Sequence, residues 1–141
     1  MTQADLEGLV ARFEAAEISR PEWTHAAHLK VGAWYVDQFG PDEALARLRA
    51  GIRRLNEANG VGNTPSDGYH ETVTGAYVRL LSRFLASCSP TMSFAERVCA
   101  MLSSPVAGKQ ALLRHYSRAV LMSPRARAEW VEPDRTPLPK V

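Results

Sequence analysis

The chain has 141 residues, of which 45% are hydrophobic and 23% charged, and its formal net charge is +2. A chain near this length buries roughly two-thirds of its unfolded surface, so a core is available without disulfides, and the composition excludes disorder as the dominant state. The interspersed charge gives no reason to expect a nucleic-acid partner, and the apolar stretches break well short of the roughly 20 residues that a membrane-crossing helix needs.

The opening Thr2-x-x-Asp5 resembles a capping box, and Leu6, Leu9, Val10 and Phe13 follow at helical spacing, which predicts a first helix ending near Ala16. Pro21 biases its predecessor away from the α region and marks a break. Thr24 then caps a second helix carrying Leu29, Val31, Trp34, Tyr35 and Phe39, which Gly40-Pro41 ends. A third helix is expected from about Asp42 to Ala58, with Leu45, Leu48, Ile52 and Leu55 on one stripe. Residues 60–68 hold three glycines and a proline and read as a mobile loop able to act as a lid.

Asp67 or Ser66 is the expected cap of a fourth helix, whose apolar face runs through Val73, Ala76, Tyr77, Leu80, Leu81, Phe84 and Leu85. Ser93-x-x-Glu96 starts a shorter helix reaching Met101 or Leu102. A further helix is expected over 109–121, and Ser123-Pro124 opens one more short turn ending near Trp130. No segment alternates like a strand and no internal repeat is evident. These elements predict an all-α fold, an irregular bundle of four longer helices and two or three short ones. It forms a single domain over 1–141, with 131–141 as an extended C-terminal tail.

Asp5, Glu7 and Gly8 stand where a secretory leader would need a basic start and an apolar segment. Cys88 and Cys99 form neither a C-x-x-C pair nor a dense framework and read as reduced, packed thiols. Cytoplasmic location is the expectation, and an apolar helix face left uncovered would support a homo-oligomer. Arginines concentrate at Arg47, Arg49, Arg53 and Arg54 and at Arg114, Arg118, Arg125 and Arg127. A solvated helix face is the preferred reading over a rim that attracts an anionic substrate.

Chemistry concentrates in two short motifs, Trp23-Thr24-His25-Ala26-Ala27-His28-Leu29 and Tyr69-His70-Glu71-Thr72. Residues three apart share a helix face, so His25 and His28 can point into one space, and His70 on another helix can supply a third imidazole. The positive end of a helix dipole favours the neutral ring that a metal needs. Ala26, Ala27 and Gly32 leave room nearby. Three histidines with a vacant fourth position suit a catalytic zinc ion, the favoured metal, while iron or copper would also accept imidazole. Adjacent helical residues diverge by roughly 100°, so Glu71 is assigned as a general base or as an acceptor orienting a ligand imidazole.

The plainer alternative is that these are hydrogen-bonded core histidines. His115 would close the site as a fourth ligand and convert it into a structural one. The tyrosines Tyr35, Tyr69, Tyr77 and Tyr116 read as core residues before they read as pocket hydroxyls. No serine-hydrolase elbow or phosphate-binding loop is present.

At these two motifs the chain resembles a family of short, largely uncharacterised bacterial helical proteins marked by paired aromatic-x-H-x-x-H-L and Y-H-E-T segments. The likeness extends over roughly 20–85, with a looser echo in Tyr116-Ser117 and from Ala126-Arg127 to Pro133-Asp134. The resemblance implies kinship and carries no activity. The functional expectation is a metal-dependent enzyme acting on a small molecule through His25, His28 and His70, hydrolytic with zinc and oxidative with iron or copper. A non-catalytic helical module that binds a metal or ligand, with structural histidines, is the alternative.

Overall fold

Side-chain caps decide where most of the helices begin. In the computed structural model, which describes residues 1–140, no strand forms, and seven α-helices are joined by turns, 3-10 segments and a longer loop between the third and fourth. Thr2 and Asp5 exchange hydrogen bonds of 2.8 and 3.1 Å at the start of α1 (Gln3–Glu14). The Thr24 hydroxyl accepts from the Ala27 N–H at the start of α2 (His25–Phe39). Gly40, at φ 80°, turns the chain so that Pro41 opens α3 (Pro41–Ala58). The Ser93–Glu96 capping box opens α5 (Phe94–Leu102), and Ser117 and Ser123 cap α6 (Arg118–Leu121) and α7 (Pro124–Ala128). Each side-chain cap satisfies an N–H that a first turn leaves without an intrahelical partner, whereas Gly40 makes no such bond.

Two boundaries differ from those expected. α4 spans Glu71–Ser87, and its cap is His70 instead of Asp67 or Ser66. Asp67 is consumed by a tight turn, where its carbonyl accepts from Thr64 N–H at 2.8 Å and its carboxylate from Gly68 N–H at 2.9 Å. Gly68 follows at φ 85°, a conformation no helix interior has, and a Cβ there would collide with the Gly62 carbonyl. The helix expected over 109–121 is also broken, into a 3-10 turn at Ala111–Arg114 and α6. The C-terminal tail competes for the backbone and side chains between them. The Tyr116 hydroxyl donates to Val131 O at 2.6 Å, and Ser117 N–H donates to the Asp134 carboxylate at 2.7 Å.

α2 packs against α1, α3, α4 and α5 and so stands at the centre. The main core joins these five helices through residues such as Leu6, Phe13, Val31, Leu55 and Leu81. Gly51 on α3 meets Phe13 of α1 so closely that a Cβ would strike the ring. A second cluster of Ala76, Leu112, Tyr116, Leu121 and Leu138 fastens the C-terminal third onto the other side of α4. The tail over 131–140 is non-helical and returns across this cluster, with Arg135 N–H donating to His115 O at 2.9 Å. Val141, the last residue of the expected tail, lies outside the described residues. Cys88 is half-buried, but Cys99 is exposed and not packed. It follows Val98, which faces the core, and one helical step of roughly 100° carries it to the outside. Among the described residues no helix is long and apolar enough to cross a membrane.

Candidate functional site

His25 and His28 occupy the first turn of α2 and, three residues apart, share the wall of one cavity. His25 Nε2 lies 3.0 Å from Ala107 O. A carbonyl can only accept, so this nitrogen carries the proton and, in the neutral ring, Nδ1 keeps its lone pair. The pattern at His28 is reversed, because Nδ1 donates to Thr24 O at 2.8 Å and Nε2 is left as the free acceptor. The His28 ring also rests on the Trp23 indole, with centroids 3.8 Å apart and planes inclined by 31°. Burial lowers the His28 pKa, and the neighbouring His25 adds to the effect against the opposing hydrogen bond to Thr24.

The cavity lies between α2, α3 and α4 and has a volume of about 340 Å³. Leu29, Gly32, Leu48, Ile52, Val73 and Val78 supply its apolar wall, and Thr74 and Tyr77 join the two histidines as its polar side chains. Gly32 contributes openness on one side and close packing on the other, since a Cβ there would sit 3.1 Å from Leu81 Cδ1. The Thr74 hydroxyl donates to His70 O at 2.8 Å and the Tyr77 hydroxyl to Gly108 O at 3.3 Å. Burial raises the Tyr77 pKa, which keeps this phenol protonated. A second, more polar cavity of about 420 Å³ adjoins the first across His28, Ile52, Val73 and Thr74 and is lined also by Arg20, Asn56, Asp67 and His70.

His70 does a different job. Its Nδ1 accepts from Val73 N–H at 3.1 Å, and its Nε2 donates to Leu121 O at 2.7 Å. Both ring nitrogens are committed, one to capping α4 and the other to docking α6, and burial is the main influence lowering its pKa. The common metal site expected of His25, His28 and His70 therefore does not fit these donors, because His70 has no lone pair to give. Among the described residues no group of three or more His, Cys, Asp or Glu side chains is placed to hold a metal ion.

Glu71 points elsewhere too. Its carboxylate takes two hydrogen bonds from Arg49, at 2.8 and 2.7 Å, and a third from the Tyr69 hydroxyl at 2.7 Å. The Arg49 guanidinium lowers its pKa, with burial opposing and Tyr69 assisting. A carboxylate so stabilised is a weak base, and this one ties α3 to the start of α4. His115 bonds through Nδ1 to Thr136 O at 2.9 Å and belongs to the tail's anchorage.

Of the first arginine group, Arg47 stacks on Phe39 and Arg53 on Tyr69 while Arg49 holds Glu71. Three of those four side chains thus have internal partners. The loop over 60–68 is tied down by Asn63, whose side-chain oxygen accepts from Asn56 and from Tyr69 N–H, each at 3.1 Å.

Thr74 and Tyr77 on α4 face the histidines of α2 across the cavity; neither belongs to the site expected from sequence, where Tyr77 reads as a core residue before a pocket hydroxyl. Their three-residue spacing carries a signal that both lie on one helix face, but it does not say which face. No family model matches the chain, and comparison with curated proteins and with solved structures returns no match.

Proposed function

We propose that this protein is a ligand-binding helical module that takes up a small, largely apolar molecule between α2, α3 and α4. The single observation that carries this reading is the cavity of about 340 Å³, walled mainly by aliphatic side chains and fitted with a few convergent polar groups. Pockets that hold small organic molecules are of this kind, beginning at roughly 300 Å³. On this reading the histidines are components of the wall and the frame. His25 and His28 line the cavity, and His70 holds α4 and α6 in register.

Indole tests the reading. A rigid bicycle of that size should bind the wild-type protein and raise its Tm as the concentration passes Kd, and calorimetric titration should give one site per chain. Val73 lines both cavities and is half-buried, so Val73→Trp should fill the space and abolish binding while the helical circular dichroism persists. Failure of the wild type to bind either indole or the isosteric benzofuran, or unchanged affinity in Val73→Trp, would overturn the proposal.

A further inference from the structure

The polar side chains of the main cavity share one property that concerns ligand class. Every donor among them already has a protein acceptor: His25 Nε2–H on Ala107 O, His28 Nδ1–H on Thr24 O, the Thr74 hydroxyl on His70 O and the Tyr77 hydroxyl on Gly108 O. The apolar remainder of the wall contributes no side-chain donor. What these four groups retain is lone pairs, on His25 Nδ1, His28 Nε2, Thr74 Oγ and Tyr77 Oη. A molecule that displaces water from such a wall loses affinity unless it gives the acceptors a hydrogen in return.

We infer that the cavity selects apolar molecules carrying an N–H or O–H donor over isosteres without one, and that His28 Nε2 is the principal acceptor. This rests on the ligand-binding reading above. His28 is singled out by its fixation: the 2.8 Å bond to Thr24 O sets the tautomer, and the Trp23 stack sets the plane of the ring. Its free nitrogen needs no reorganisation to accept, so little of the hydrogen bond is lost to ordering.

Indole and benzofuran form the deciding pair, alike in shape and differing in an N–H against an ether oxygen. Titration calorimetry on the full chain at pH 7.5 should show indole binding about tenfold more tightly, a difference of about 1.4 kcal/mol. In His28→Leu the ratio of the two affinities should collapse toward one, whatever the substitution does to the absolute affinity for either bicycle. Should that variant fail to fold, ring ¹⁵N spectra of the wild type supply the second readout. The His28 Nε2 resonance should move toward the protonated-nitrogen range with indole and stay in place with benzofuran. Equal affinities for the two bicycles, or an indole preference with a stationary Nε2 resonance, would overturn the inference while leaving the ligand-binding reading intact. Binding of neither would sink both.

Discussion

A histidine can cap a helix only while its accepting nitrogen is unprotonated, and this gives His70 a measurable signature. Proton uptake at Nδ1 would set two hydrogens against each other where Val73 N–H now donates at 3.1 Å. The His70 pKa is lowered in the folded protein, as is that of His28, so the unfolded chain binds protons that the native state refuses. The stabilising contribution is complete above the unfolded value near 6.5 and is lost as pH falls through the lower folded values. The slope is at most about 1.4 kcal/mol per pH unit for each histidine. Urea midpoints should therefore be flat above about pH 7 and begin to fall as the pH drops below about 6.5, before the carboxylates lose their charge. His70→Asn, which keeps a capping oxygen, should reduce that fall. A midpoint that holds or rises on acidification would contradict this account of His70. Glu71 illustrates the same separation of chemistry from mere presence: beside His70 in sequence, it is spent on Arg49 and Tyr69.

Among the elements, α1 ends in a way that its sequence does not favour. Ala16 N–H bonds Phe13 O and Glu17 N–H bonds Arg12 O, at 3.0 and 2.8 Å, the pair of bonds that closes a helix with a left-handed residue. That residue is Ala16, at φ 57° and without a glycine's freedom. Left-handed backbone costs a non-glycine residue roughly 1 kcal/mol, and the cost is offset by Ile18, which the turn delivers into the core at 1% exposure. Ala16→Gly should stabilise the protein by about 0.5–1 kcal/mol, read as a raised urea midpoint with an unchanged m-value. A destabilised variant would show that the unfolded-state entropy added by glycine outweighs the relief. α4 shows the opposite economy, since one helix serves both hydrophobic clusters and the cavity wall. Its buried Gly75 admits the Trp130 ring, 3.0 Å from where a Cβ would stand.

For the molecule as a whole, the C-terminal third depends on a tail with no regular structure. Leu138 is only 8% exposed and covers the cluster around Leu112, Tyr116 and Leu121. That cluster in turn positions Leu121 O, the acceptor for His70. Leu138→Ala removes buried apolar volume at the rim of the fold and should cost about 2 kcal/mol, the lower end for such a truncation. Amide exchange should rise first in α6 and α7 and leave α2 protected, because the main core does not include the tail. Exchange that accelerates uniformly over all helices would instead indicate one cooperative unit.

Local chemistry, meaning caps, breakers and apolar period, was enough to read the all-α class, the starts of α1, α2, α3 and α5, and the placing of His25 and His28 on one helical turn. These features act within four residues, so a linear pattern contains them. Residues far apart in the chain decided the rest. The Asp67–Gly68 turn passed the capping of α4 to His70, and tail contacts at Tyr116 and Ser117 divided the helix expected over 109–121. The role of His70 turned on a carbonyl 51 residues away. A ring nitrogen's availability is set by what its other bonds satisfy, and those partners exist only once the helices have packed.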